Sequence, residues 1–175
     1  MITCSIFNGI AQSGKYLKYR IIVEGTYIRN LGNFSEDWGS AAGEYIGYGF
    51  SIPAHNLLIL RTGFINNIYK FNIEKASLTI IPIEIGGRYY FTDSRFMPFF
   101  QFMNGLNIIF ENTNLEGEKE DKTLVKYAWQ VGIGITINLV ENLRIDVGAN
   151  YQSNFYMTEI MNTEFEYVFG IGFTL

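Results

Sequence analysis

One cysteine and one histidine in 175 residues leave no material for a disulfide framework or for a metal site built on clustered Cys or His. Prolines number three, and no stretch of 18 residues is free of charged side chains, so no helix of this chain is apolar enough to cross a bilayer. Charge is sparse. Thirteen Lys and Arg stand against seventeen Asp and Glu, a net of −4, which argues against a surface that tracks nucleic-acid phosphates. What the sequence does have is 18 Gly, 12 Tyr and 15 Phe, a composition unlike that of a disordered chain and suited to strands. The length favours one domain.

The first residues stand apart from the rest. Met1 to Ser13 is weakly apolar and uncharged, and it ends with small residues at Ala11 and Ser13, as a secretory cleavage site does. Residues 1–13 are therefore expected to be the remnant of a signal peptide, with residues 14–175 forming a single barrel domain. Cleavage there would leave a chain without cysteine, which fits an oxidising compartment.

Alternation at period two runs through the remainder. Phe165, Tyr167, Phe169, Ile171, Phe173 and Leu175 alternate with Glu166, Val168, Gly170, Gly172 and Thr174, a pattern that a helix would scatter around its axis. Seven further runs behave likewise: 18–27, 43–51, 57–64, 81–91, 98–110, 125–138 and 144–152. The connections are short at 52–56, 92–97 and 139–142, and long and polar at 31–42, 66–77, 111–123 and 153–163. Eight up-and-down strands with short turns at one end and long loops at the other follow from this spacing.

The alternate positions decide which face lies inside. One face carries Ile, Val, Leu, Phe and Tyr. The other carries Arg20, Glu24, Arg61, Glu84, Arg88, Arg144 and Asp146, mixed with rows of glycine. A water-facing surface has no use for rows of glycine, whereas the narrow interior of an eight-stranded barrel does. Apolar side chains outward and polar ones inward is the arrangement of a membrane barrel. Tyr16, Tyr19, Tyr27, Trp38, Tyr127, Trp129, Tyr151 and Tyr167 near strand ends suit interfacial aromatic girdles. The expected fold is all-β: an eight-stranded antiparallel up-and-down transmembrane β-barrel, lipid outside and its lumen filled by side chains.

Three segments, IPIEIGGRYYF (81–91) with PFFQF (98–102), ENLRIDVGANY (141–151) and the terminal YVFGIGFTL, resemble the small outer-membrane β-barrel family, the OmpA/OmpX-like or opacity-protein-like barrel domain. The resemblance covers residues 16–175 and implies a bacterial outer-membrane location. It also implies that the last strand serves as a signal to the barrel-assembly machinery, although Leu175 stands where that family usually ends in Phe or Trp. Members serve as adhesins, defence-related surface proteins, structural anchors and narrow channels. The implied role is therefore a non-enzymatic surface or interaction protein in contact with outer-membrane lipid and an extracellular protein or host ligand. The alternative is a narrow porin-like channel for ions or small solutes.

The residues that could carry chemistry point the same way. His55 lies in the tight turn 52–56, on the side expected to be periplasmic, and reads as a solvated turn residue without catalytic partners. Glu84 and Arg88, four apart on one strand, stand roughly 13 Å from each other and must pair with other strands: Arg61 beside them, or Arg20, Glu24, Arg144 and Asp146 across the lumen. The acidic segment Glu116 to Asp121 lacks calcium-loop spacing and reads as a solvated loop tip. Phe34, Trp38, Tyr69, Phe71, Phe155 and Tyr156 in the long loops either form a partner surface or pack the loops together. No cofactor, metal or catalytic residue is expected.

Overall fold

The computed structural model describes residues 18–53, 55–70, 76–115, 118–156 and 159–175, and side chains throughout these except at 113–120 and 155–162. The eight strands are β1 (Tyr19–Leu31), β2 (Trp38–Ile52), β3 (Asn56–Tyr69), β4 (Ser77–Tyr90), β5 (Phe96–Leu115), β6 (Glu118–Val140), β7 (Leu143–Tyr156) and β8 (Glu159–Thr174). A single helical turn, α1 (Phe34–Asp37), bridges β1 and β2. Each strand pairs antiparallel with its neighbours in chain order, and β1 closes onto β8. Closure gives every strand two partners, so no edge is left to pair elsewhere.

Burial follows the alternation. Val23, Ile46, Leu60, Ile83, Ile133, Val147 and Phe169 project outward, and Ile133 keeps 66% of its surface exposed. Arg20, Glu24, Arg61, Glu84, Arg88 and Asp146 point inward and are buried. Rings pair up on the outer face near the long-hairpin end: Tyr27 with Tyr167, Trp129 with Tyr151, and Tyr151 with Phe165. Such a girdle sits where hydrocarbon gives way to headgroups. Among the described residues no helix is long and apolar enough to cross a membrane.

Four connections differ from the sequence expectation. Paired strand extends into each of the segments expected to be long loops: Ala41 opposes Asn67, Asn112 opposes Asp121, Leu115 opposes Glu118, and Tyr156 opposes Glu159. Ladder hydrogen bonds do not require an apolar face, so pairing continues above the lipid after the hydrophobic alternation has ended. Residues 118–121 of the acidic segment thus belong to β6, and β5 and β6 run 20 and 23 residues. Residues 116–117 lie outside the described ones.

The interior is not uniformly polar. Its two apolar clusters, with Ile22, Ile28, Ile59, Ile65, Ile80, Phe99, Met103 and Ile109 among their buried members, draw those members from β1–β5. The facing wall of β6–β8 contributes Gln130, Thr136, Asp146, Asn150, Gln152, Glu164 and Glu166. Trp38 belongs to the apolar side. It is buried inside the barrel and not part of an outer girdle, because β2 begins at this residue with its ring turned into the lumen.

Candidate functional site

Closing eight strands brings polar side chains from distant parts of the chain onto one axis. Glu24 of β1 accepts from Arg61 Nη1 at 2.7 Å and from Arg88 Nη2 at 3.2 Å, one guanidinium on each carboxylate oxygen. Arg61 donates its Nε to Glu84, directly opposite on β4, at 2.6 Å, and its Nη2 to Gln130 at 2.7 Å. Arg88 donates to Asp146 at 2.6 Å and to Gln101 at 2.9 and 3.1 Å. Gln101 passes a bond to Asn150, Asn150 one to Glu166, and Gln130 also donates to Glu166. The result is a closed circuit through Glu24, Arg61, Gln130, Glu166, Asn150, Gln101 and Arg88.

Buried charges are tolerated when paired and hydrogen-bonded. Here the two arginines are also stacked: the Arg61 guanidinium lies 3.9 Å from the Tyr45 ring centre and that of Arg88 lies 4.1 Å from the Phe99 ring centre. These cation–π contacts hold both guanidiniums against the apolar wall, while their nitrogens reach Gln130 and Asp146 on the polar one. Glycine makes the room. A Cβ on Gly170 would sit 2.8 Å from Glu24 Cγ, and one on Gly47 would sit 3.1 Å from Arg61 Cβ.

Around this middle layer lie two others. Toward the long hairpins, Asn107 donates to Asn154 at 2.5 Å, and Lys126 and Glu164 are buried in the interior. Toward the short turns, Arg20 donates to the Tyr90 hydroxyl at 2.6 Å, and Arg144 lies at the same mouth. Neither of these two forms an ion pair with a carboxylate among the described residues. The structure therefore brings Glu24, Arg61, Glu84, Arg88 and Asp146 into one cluster and leaves Arg20 and Arg144 apart from it. Lys126, Glu164 and Glu166 are not among the lumen charges expected from the sequence, although the parity that selects Asp146 also selects each of them.

The aromatic candidates divide as well. Phe34 stacks on Trp38 at 6.4 Å and Tyr69 packs on Trp38 at 5.1 Å, together forming an apolar cap inside the long-hairpin mouth. Phe71 lies outside the described residues. Phe155 and Tyr156 end β7, where a register shift follows Asn154. His55, in the β2–β3 turn, adopts φ 64° and bonds Asp93 at 2.7 Å. No group of acidic, His or Cys side chains able to hold a metal occurs among the described residues.

Solved structures share this arrangement. Neisserial surface protein A is similar over 90% of this chain and 97% of its own, with TM-score 0.68 and 17% identity. Ail, the attachment invasion locus protein of Yersinia pestis, is similar over 92% of this chain and 100% of its own, with TM-score 0.65 and 12% identity. The N-terminal β-barrel domain of Pseudomonas aeruginosa OprF is similar over 89% and 97%, with TM-score 0.54 and 14% identity. No protein-family model and no curated protein matches the chain. The fold is that of the small outer-membrane β-barrels, and the band of outward Ile, Val, Leu and Phe is a surface suited to lipid.

Proposed function

We propose that this chain acts at the cell surface without catalysis, as a structural or interaction protein whose long hairpins meet an extracellular protein or host ligand. The observation that carries the reading is the hydrogen-bonded circuit through Glu24, Arg61 and Arg88. It ties the walls together across the lumen, so the barrel serves as a rigid base more readily than as a conduit. A second support is the length of β5 and β6. Twenty tilted residues rise roughly 50 Å against a hydrocarbon layer of about 30 Å, which lifts the β5–β6 hairpin clear of the lipid. That hairpin carries five carboxylates and two lysines over 111–123, a charge suited to a basic partner. Ail has been solved with the heparin analogue sucrose octasulfate, a polyanion; the acidic hairpin of this chain favours the opposite sign.

The competing reading is a narrow channel, favoured by the charged groups that line the axis. Planar-bilayer recording separates the two. The surface-protein reading expects no steady unitary current from the folded chain. Steady currents abolished by Glu84→Gln or Arg88→Met would replace it with the channel. In the same preparation, replacing 112–122 by an Asn-Gly turn should leave the barrel folded and remove binding to cells.

A further inference from the structure

The interior arginines fall into two kinds. Arg61 and Arg88 use all three of their nitrogens in hydrogen bonds to Glu, Asp or Gln side chains. Arg20 and Arg144, at the short-turn mouth, do not. Arg20 is 96% buried by its 4% exposure, yet its Nε has no hydrogen-bond partner among the described residues, and neither has that of Arg144. A buried guanidinium with an idle donor is an unusual thing to maintain, since the unmade bond leaves the desolvation of that group uncompensated.

The fold sets these two side by side. They extend from β1 and β7, the strands on either side of β8, where Gly172 stands opposite both Ile22 and Arg144. Gly172 adds no side chain at this point: a Cβ there would stand in ordinary contact with Arg20 Cδ, at 3.4 Å. Both line one cavity of about 510 Å³ that opens at the short-turn end, with Tyr90 and Asn138 in the same wall. The Tyr90 hydroxyl accepts from Arg20, which leaves its own proton available to an acceptor. The nearby carboxylates are occupied. Asp146 is taken on its two oxygens by Arg88 and Thr136, and the exposed Asp93 by His55.

We infer that this mouth is a binding site for a phosphate group, free or carried on a small ester, held between the forks of Arg20 and Arg144. Two planar forks and a phenol present more donors than the two oxygens of a carboxylate can accept. The several oxygens of a tetrahedral phosphate match them. With the short turns on the periplasmic side, as in other outer-membrane barrels, the ligand comes from the periplasm or from a phospholipid headgroup of the inner leaflet.

The test uses the full chain refolded in a maltoside micelle, which contains no phosphate, and follows the Arg20 and Arg144 Nε–H signals by NMR. Inorganic phosphate at constant ionic strength should move both signals saturably, and acetate should not. Arg144→Gln should weaken the response about tenfold or more, the loss of one charge-assisted bond. Arg144→Lys, which retains charge and loses the fork, should also weaken it, and it serves if the glutamine variant fails to fold. Signals already shifted in phosphatidylcholine nanodiscs without added phosphate would name the headgroup as the source. A response that never saturates, or one unchanged in the folded Arg144 variants, would overturn the site.

Discussion

Glu24 and Arg61 sit on strands that do not touch, β1 and β3, yet their side chains meet at 2.7 Å inside the barrel. Gly47 of the intervening β2 stands opposite Arg61, where a side chain would press on it. Charge, register and the lack of a Cβ act together at this one point.

Removing Glu24 leaves two arginines short of an acceptor, so Glu24→Gln should destabilise the barrel by about 2–4 kcal/mol, and Arg61→Leu by about 3–5 kcal/mol. Urea unfolding of the chain in lipid vesicles, read by tryptophan fluorescence, measures both. Loss below about 1 kcal/mol in the pair would mean that the circuit contributes no stability.

Glycine positions should separate by face. Gly170→Ala brings a methyl within 2.8 Å of Glu24 Cγ and should cost about 1–3 kcal/mol by overpacking. Gly87→Ala, turned outward with its nearest neighbour 3.9 Å away, should be neutral or mildly stabilising. Comparing unfolding midpoints of the two variants checks the direction in which each strand faces.

On the outside, Ile133→Lys places a charge in mid-strand against hydrocarbon and should cost about 2–4 kcal/mol, while Leu139→Lys beside the β6–β7 turn should cost at most about 1 kcal/mol. Heat-modifiable gel migration, which reports the folded barrel, should be reduced only in the first variant. The reverse order would mean that the outer face does not meet lipid.

His55 holds a left-handed backbone at φ 64°, a strained position for a side chain with Cβ. His55→Gly should raise stability by about 1 kcal/mol despite losing the exposed bond to Asp93, since surface pairs contribute little. A drop of more than about 1 kcal/mol would show the His55–Asp93 bond to be the stronger term.

Period two was enough to read inside from outside at residues such as Phe169 against Glu166, because a strand that meets lipid on one face cannot slip by one residue without reversing every side chain. The same signal fades where both faces meet water. Asn112 and Asp121 pair across a ladder whose residues are polar on either side, so backbone hydrogen bonds extend strands that hydropathy had already ended. Trp38 misled for a related reason: it begins a strand, and only the register of Ser40 with Ile68 and Ala41 with Asn67 fixes its direction. The lumen pairs needed the closed cylinder. Nothing in the order of residues places Glu24 beside Arg88, sixty-four positions away, until β1 has joined β8.

That joint also sets a timetable. Thr26 of β1 and Glu166 of β8, bonded at 2.9 Å, come from the first and last strands of the barrel, so the lumen stays wet until these two strands pair and seal the cylinder. Arginines and glutamates that end in a dry interior therefore spend assembly hydrated, and shedding that water falls together with the final act of closure.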